Sequence, residues 1–199
     1  MQALRLLTEA ARPERVELDE LTLRRAKRGD RAAFGALVRF YQRPIFALLS
    51  RMLLSSDRRD LVEDLAQETF VRALRAIDTF GDDGRNRLSS WLLTIAARVA
   101  LDALKRRALP TQPLEELADI VPGPRRADDE LERRTLREAI GAAVEGLPVG
   151  YRAAFLLREV HGLDYEAIAE ALDVDVGTVK SRLSRARAAL RTALSEIDP

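Results

Sequence analysis

The sequence has no cysteine, a single histidine and no long hydrophobic run. Without cysteine, the chain forms no disulfide, no thiolate zinc site and no cysteine nucleophile. One histidine, His161, is too few for a histidine-rich metal site, and we assign it no metal or catalytic role. The longest stretch without a charge, Leu88–Ala97, is about half as long as a membrane-spanning helix requires. These absences exclude cysteine-based catalysis and most histidine-based acid–base designs, and we predict no metal, no cofactor and no membrane insertion.

The first residues, MQALRLLTEAARPER, carry acids early and lack a sustained apolar core, unlike a secretion signal. We therefore expect a cytoplasmic protein. Its 199 residues, 47% of them hydrophobic, suffice for one or two small folded domains. The segment Met1–Asp19 has no role that the sequence assigns, since a frayed extension and a family-specific contact both fit it.

Charge is unevenly distributed along the chain, although the net charge is only +1. Residues 23–107 hold eighteen basic and ten acidic residues, a net charge of +8, while the segments on either side are acidic. A basic block of this kind favours a polyanionic partner. An ordinary solvated basic face fits the same composition.

Proline divides the chain into two parts. None occurs between Pro44 and Pro110, whereas four of the eight prolines fall in residues 110–124. Proline removes a main-chain donor and disfavours helix in the residue before it, so this stretch is predicted to be a flexible linker. Elsewhere apolar residues recur at three- and four-residue spacings, which predicts an all-α protein of two small helical domains. The predicted boundaries are an N-terminal extension at 1–21, a first domain at 22–107, a linker at 108–130 and a second domain at 131–196.

Helices are predicted through the first domain. Gly29 followed by Asp30 indicates a helix end and a new N-cap. A helix over 60–79 is predicted to turn Ala66, Phe70, Ala73, Leu74 and Ile77 inward. A further helix, from about Ser89 to Arg107, is predicted to carry Thr94, Arg98, Asp102, Lys105 and Arg106 on the side opposite its apolar stripe.

The second domain contains the pattern of a helix-turn-helix. Asp164 is predicted to cap a helix at Tyr165–Leu172, and Asp175 to cap the next helix after a tight turn at Asp173–Asp175. The second helix buries residues spaced i, i+4, i+7 and i+11: Val179, Leu183, Ala186 and Leu190. The opposite side is centred on Ser181.

The charges of that second helix point to DNA. Between Val176 and Ser195 there are five basic residues and no acidic one. Small residues at the front let the main chain approach DNA, while lysine and arginine can read guanine or hold phosphate. The candidate DNA-binding residues are Gly177, Thr178, Lys180, Ser181, Arg182, Ser184, Arg185 and Arg187. An amphipathic helix pair with a solvated basic face is the alternative, and the turn, the caps and the charge asymmetry favour DNA.

Four segments resemble one known family, the sigma factors of bacterial RNA polymerase, and most nearly the extracytoplasmic-function type. The run GLDYEAIAEAL with VGTVKSRLSRARAAL resembles the family's −35-binding domain. Upstream, RRAKRGDRAAFGALVRFYQRPIFALLSRM resembles the opening helices of its core domain, and DLVEDLAQETFVRALRAIDTF its polymerase-docking segment. RLSSWLLTIAARVALDALKRR resembles the segment that opens and reads the −10 element. The four occur in the family's order and cover about residues 22–194.

The resemblance implies a transcription initiation factor that does no covalent chemistry of its own. Its implied partners are core RNA polymerase, through the β′ coiled coil and the β flap, promoter DNA and an anti-sigma factor. The resemblance assigns polymerase docking to Asp60, Asp64, Gln67 and Glu68. The alternative is that these residues form a plain solvated helix face. Recognition and melting of the −10 element fall to Asn86, Trp91, Arg98, Asp102, Lys105 and Arg106.

Several of these roles have competing interpretations. Trp91 also fits a core anchor, and Arg98 and Asp102, four residues apart, also fit an ion pair. Arg98 stands where most family members have asparagine, which leaves the preferred −10 base open. The loop at residues 81–86 fits either a holder for an unstacked base or an ordinary mobile turn. The competing functions are a conventional helix-turn-helix regulator that needs no polymerase docking and a helical enzyme or scaffold, for which we find no catalytic constellation.

Overall fold

The computed structural model describes residues 17–53, 60–81, 87–107 and 138–195. Within these ranges all regular structure is helical, so the predicted all-α fold is confirmed. The first half contains α1 (Glu20–Lys27), α2 (Arg31–Met52), α3 (Leu61–Ala76) with a 3-10 turn at Ile77–Thr79, and α4 (Leu88–Arg107). The second half contains α5 (described over 138–145), α6 (Val149–Phe155) continued by a π-helical turn at Leu156–Val160, α7 (Tyr165–Leu172) and α8 (Val176–Leu194). The linker prediction and Asn86 lie outside the described residues.

Apolar side chains at helical spacing build the core, with two exceptions to the predicted pattern. Leu37 and Leu92, for example, are fully buried in α2 and α4. Leu74 was predicted to point inward and is 50% exposed, because it lies at the rim of a groove between α2 and α3. Thr94 was predicted to be on the outer face and is only 4% exposed, because α4 packs against α2, α3 and α7 and is covered on more than one side. Among the described helices, none combines the length and the apolar character needed to cross a bilayer.

Aspartate side chains begin four of the described helices. Asp19 accepts a hydrogen bond from the Thr22 amide at the start of α1, and Asp30 accepts from the amides of Ala32 and Ala33 in α2. Asp164 accepts from the Ala167 amide in α7, and Asp175 from the Thr178 amide in α8, both at 2.7 Å. The amides of the first helical turn have no hydrogen-bond acceptor within the helix, and these aspartate side chains provide one. The predicted caps at positions 30, 164 and 175 are confirmed.

The caps predict that stability declines in acid. Hydrogen bonds lower the pKa of Asp175, chiefly from the Thr178 side chain, and that of Asp30, chiefly from the Ala33 amide. Because these pKa values are lower in the folded state than the unfolded value of 3.8, the stabilisation is complete above 3.8 and is lost as pH falls through the folded values. We expect the thermal midpoint to drop between about pH 5 and pH 2. The variant Asp30→Asn/Asp175→Asn keeps good N-caps but has no carboxyl groups that titrate at these positions. Its thermal midpoint should therefore drop less in acid than that of the wild type. An equal drop would contradict this explanation.

The two halves pack against each other. Their buried residues form one continuous core, and α4 lies against α7. Arg152, at the boundary, is only 3% exposed. Its Nη1 donates to the main-chain oxygen of Met52, at the end of α2, at 3.0 Å, while Nη2 donates to the main-chain oxygens of Glu145 and Leu147. Burial lowers the pKa of this guanidinium, so the contact joins the domains at an electrostatic cost.

Candidate nucleic-acid interface and docking surface

The outer side of α8 presents small and basic residues to solvent. Val179, Leu183, Ala186 and Leu190 are all buried, as predicted. The residues exposed on the other side include Gly177, Lys180, Ser181, Ser184 and Arg185. Arg185 is held toward α6, since its Nη1 donates to the Tyr151 hydroxyl at 3.0 Å. This side of α8 therefore combines close backbone access with positioned cations, which suits base reading in a major groove.

The first turn of α8 is shaped by its cap. The Thr178 hydroxyl donates to Oδ2 of Asp175 at 2.7 Å, and the Ser181 hydroxyl donates to the Thr178 carbonyl. A Cβ at Gly177 would lie 2.8 Å from Oδ1 of Asp175. Glycine at this position therefore accommodates the capping carboxylate, a reason that adds to the close approach to DNA suggested by the sequence.

Two arginines of α8 turn toward the body of the domain. Arg187 pairs with Glu159 in the π-helical turn, with Nη2–Oε1 at 2.5 Å and Nε–Oε1 at 3.1 Å. The guanidinium of Arg182 lies over α6, where a Cβ at Gly150 would meet its Nη1 at 3.2 Å. Both are only partly exposed. The structure therefore separates them from the exposed group around Ser181.

On α4, the candidate −10 residues are held by neighbouring helices. Nη2 of Arg98 donates to the main-chain oxygen of Glu170 in α7 at 2.6 Å and lies 3.4 Å from its carboxylate. Asp102 lies 3.6 Å from Nη1 of Arg72 in α3. The suggested pair between Arg98 and Asp102 is therefore wrong, because each has a partner on another helix. Lys105 is exposed at the C-terminal end.

Trp91 and Arg106 occupy the two ends of the same helix. The indole of Trp91 is partly buried and stacks obliquely on Phe80, with ring centroids 5.2 Å apart. This contact fits the core-anchor interpretation and leaves part of the ring accessible. Arg106 is exposed, and its Nε donates to the Asp102 main-chain oxygen at 3.3 Å.

On α3, the candidate docking residues form a mostly exposed polar surface. Asp60, Asp64 and Gln67 are exposed, whereas Glu68 accepts a hydrogen bond from Nε of Arg72 at 2.7 Å. This ion pair raises the pKa of the Arg72 guanidinium. Because Arg72 also approaches Asp102, it connects the docking helix to α4. Asp64 has no partner among the ion pairs of the described residues.

An apolar groove beside these carboxylates was missed by sequence reasoning. It lies between α2 and α3, and its lining includes Phe34, Val38, Phe46, Phe70 and Leu74. Phe46 and Leu74 are 37% and 50% exposed, which is unusual for large hydrophobic residues. Glu63 and Gln67 line the same groove, so apolar and polar contacts are contiguous. The sequence could have indicated this groove, because the apolar stripe of α3 is wider than a single buried helix face requires.

The described residues contain no cluster of three or more potential ligands that could hold a metal ion. The surfaces described above consist instead of a basic helix, a helix held between domains and an acidic helix beside a groove. The groups that these surfaces expose are suited to non-covalent binding.

Comparison with known proteins identifies the family. The Sigma-70 region 2 family matches residues 37–109, and the Sigma-70, region 4 family matches residues 137–190. The chain is 37% identical to the RNA polymerase sigma-H factor of Pseudomonas aeruginosa, covering 91% of this chain and 96% of that protein. It is 34% identical to the ECF RNA polymerase sigma-E factor of Escherichia coli, covering 86% and 92%. The chain belongs to the extracytoplasmic-function sigma factors.

Two solved structures of complexes contain chains similar to this sigma factor. One is CnrH in complex with the cytosolic domain of CnrY, with a TM-score of 0.59 and 25% identity over 91% of this chain and 99% of the other. The second is the sigma factor RpoE in complex with the anti-sigma factor NepR from Bartonella quintana, with a TM-score of 0.55 and 27% identity over 81% and 99%. The similarity therefore extends across both domains.

For this sigma factor, we expect Arg185→Ala to weaken discrimination among −35 sequences. If the guanidinium reads a base, the loss should be roughly 1–3 kcal/mol, about 5- to 150-fold. The measurement is transcription from promoters that differ only at −35, with association to core polymerase as a check that assembly is intact. Arg191→Ala, at an exposed position nearer the end of the same helix, is the matched control. A uniform loss over every −35 sequence would instead indicate a phosphate contact.

Proposed function

We propose that this sigma factor binds core RNA polymerase, directs it to promoters with its own −35 and −10 elements, and assists strand opening. In this proposal α8 reads the −35 element through Gly177, Lys180, Ser181, Ser184 and Arg185. The α4 residues Trp91, Arg98, Asp102, Lys105 and Arg106 hold the −10 strand. Nucleotide addition belongs to the polymerase, and the factor acts where the polymerase acts, in the cytoplasm.

The observation that carries the proposal is the outer side of α8. It is a capped helix of a helix-turn-helix whose exposed residues are small or basic, within a segment that has no acid between Val176 and Ser195. The chain's membership of the sigma family supports the additional conclusion that α8 recognises promoters together with polymerase.

Docking is assigned to Asp60, Asp64 and Gln67 together with the adjoining groove. An acidic surface inside a domain of net charge +8 suits a basic protein surface, and the neighbouring exposed Leu74 adds apolar contact area. We assign Glu68 a smaller part, because it is paired with Arg72. The β′ coiled coil is the proposed occupant of this surface, and the β flap the proposed partner of the second domain.

The packed domains have to separate for this function. By their names, the −35 and −10 elements are centred about 25 base pairs apart, which is roughly 85 Å along B-form DNA at about 3.4 Å per base pair. Helices in contact, as α4 and α7 are here, lie about 8–10 Å apart. The two domains therefore cannot occupy both elements while α4 and α7 remain in contact. We infer that binding to polymerase and promoter replaces the contact between the domains.

Regulation by an anti-sigma factor is part of the proposal. It is supported by the similar RpoE chain, which was solved with the anti-sigma factor NepR. We propose that such a partner covers the docking surface on α3, the DNA-binding faces or both. Full activity of the factor in the presence of every protein encoded by its neighbouring genes would contradict this part.

The deciding experiment is run-off transcription with purified core polymerase over a promoter library that includes the region upstream of this gene. We expect specific transcripts that depend on this protein, and their start sites would give both promoter elements. Absence of transcripts together with no association to core polymerase would overturn the proposal. Tight binding of the chain alone to duplex operators would then favour the conventional regulator.

A further inference from the structure

Unlike the aspartates that begin four other described helices, the described residue before helix α4 offers no capping side chain. The helix follows Arg87, whose side chain has no hydrogen-bond acceptor, and its first turn contains no acidic residue. The Ser89 amide nevertheless has an acceptor, Oε2 of Glu17, at 3.3 Å. The Ser89 hydroxyl donates to the other carboxylate oxygen. The cap of α4 is therefore supplied from 72 residues upstream.

Glu17 is itself held by α2. The Tyr41 hydroxyl donates to Oε2 of Glu17 at 2.7 Å and accepts from the Leu18 amide at 3.0 Å. Tyr41 is only 3% exposed, and burial raises the pKa of its phenol, which keeps the hydroxyl protonated as a donor. The carboxylate thus joins three segments: residues 17–19, the middle of α2 and the first turn of α4.

The turn that Glu17 caps contains Trp91, one of the residues assigned to the −10 strand. The Trp91 ring rests on Phe80, and the Phe80 carbonyl accepts from Nζ of Lys27 at 2.6 Å. The position of the indole therefore depends on where α4 begins. A capping aspartate at position 87 would instead place a negative charge on the exposed side of this turn, where Arg87 now lies.

We propose that Glu17 is a positioning residue for promoter opening, which holds the first turn of α4 and, through it, Trp91 in register. The inference rests on the proposed function in assigning Trp91 to the −10 strand. This proposal assigns a role to part of the segment before α1, because residues 17–19 supply the cap of a helix that belongs to the DNA-binding face. Glu17 contacts no DNA in this account and acts through α4.

The first test uses the full-length free chain and does not depend on polymerase. Glu17→Gln removes the charge, and amide hydrogen exchange is followed over residues 88–92. Trp91, the single tryptophan of the chain, reports the same turn by its fluorescence. We expect exchange in this turn to become roughly three- to tenfold faster and the emission to shift. Glu20→Gln is the matched control, since Glu20 is exposed and its carboxylate pairs with Arg24.

The second test measures open-complex formation at saturating holoenzyme by the permanganate reactivity of unpaired thymines. We expect Glu17→Gln to slow opening by roughly three- to tenfold while core association remains unchanged. Arg87→Asn should then rescue the Glu17→Gln chain, because asparagine is a good local N-cap. Ser89→Ala removes the hydroxyl and keeps the amide, and should give a smaller effect in the same direction.

Unchanged exchange and emission in the Glu17→Gln chain would overturn the proposal. So would a loss of core association and thermal midpoint that parallels the loss of opening, because a general destabilisation would explain both. If the wild-type factor neither assembles with polymerase nor transcribes, the proposed function fails, whereas an active wild type beside an unaffected Glu17→Gln chain refutes only the role of Glu17.

Discussion

Cross-linking position 98 to position 170 is expected to abolish promoter-dependent transcription. In the structure Arg98 reaches the main chain of Glu170, which joins the proposed −10 helix to the first helix of the helix-turn-helix. A covalent link there keeps α4 beside α7, so the domains cannot separate by the distance that lies between two promoter elements. The effect should be close to complete loss, because the geometry forbids simultaneous binding rather than weakening one contact.

The chain is well suited to this experiment because it has no cysteine, so introduced thiols are the only ones in the factor. The double variant Arg98→Cys/Glu170→Cys would be joined by a bismaleimide with a disulfide in its spacer, before core polymerase is added. Cleavage of the spacer should return transcription to the level of the unlinked double variant, which is the reference because Arg98 is itself assigned to the −10 strand, and this separates the link from the substitutions. Glu166→Cys/Glu170→Cys, linked within α7, is the control. Undiminished transcription by the linked protein would mean that the domain contact persists in the active complex.

Asp64→Arg is expected to prevent association with core polymerase. Asp64 is exposed near the start of α3, beside the apolar groove, and its carboxylate is proposed to face a basic surface of the polymerase. Opposing like charges cost several kcal/mol at an interface, so affinity should fall by about a hundredfold or more. Binding is measured by competition against the wild-type factor for fluorescently labelled core polymerase.

Two controls separate docking from folding. A cation near a helix N-terminus is mildly unfavourable, so helicity and thermal midpoint should be measured and are expected to change little. Asp78→Arg makes the same charge change at an exposed position beyond the end of α3, and it should leave core affinity intact. Equal losses in the two variants would point to net charge rather than to the docking surface.

Local chemistry made much of this fold predictable from sequence. Asp164 and Asp175 precede apolar periods at helical spacing, so both caps and the buried stripe of α8 could be located in advance. The exposed group around Ser181 follows from the same register, because 100° per residue fixes which side chains oppose the stripe. Such features depend on residues within a few turns of one another.

The features that sequence reasoning missed depend on contacts between distant segments. Thr94 is polar and was placed opposite the apolar stripe of its helix, yet it is buried, because α4 packs against α2, α3 and α7 and is covered on more than one side. Leu74 has the register of a core residue, yet it borders a groove that neighbouring helices leave open. The contact of Glu17 with Ser89 spans 72 residues, and neither residue belongs to a motif that predicts the other.

Among the described residues, two arginines donate hydrogen bonds across the domain boundary to main-chain oxygen atoms, those of Met52 and Glu170, and Arg98 also lies 3.4 Å from the Glu170 carboxylate. An acceptor of this kind is present whatever side chain occupies the position. Evolution can therefore vary residues 52 and 170 without losing these hydrogen bonds, and correlated substitutions between related sequences would carry little trace of them. An alanine scan of the acceptor positions would likewise leave both bonds in place. The contact between the domains thus depends on the arginines and on backbone shape, and it is best studied by changing those.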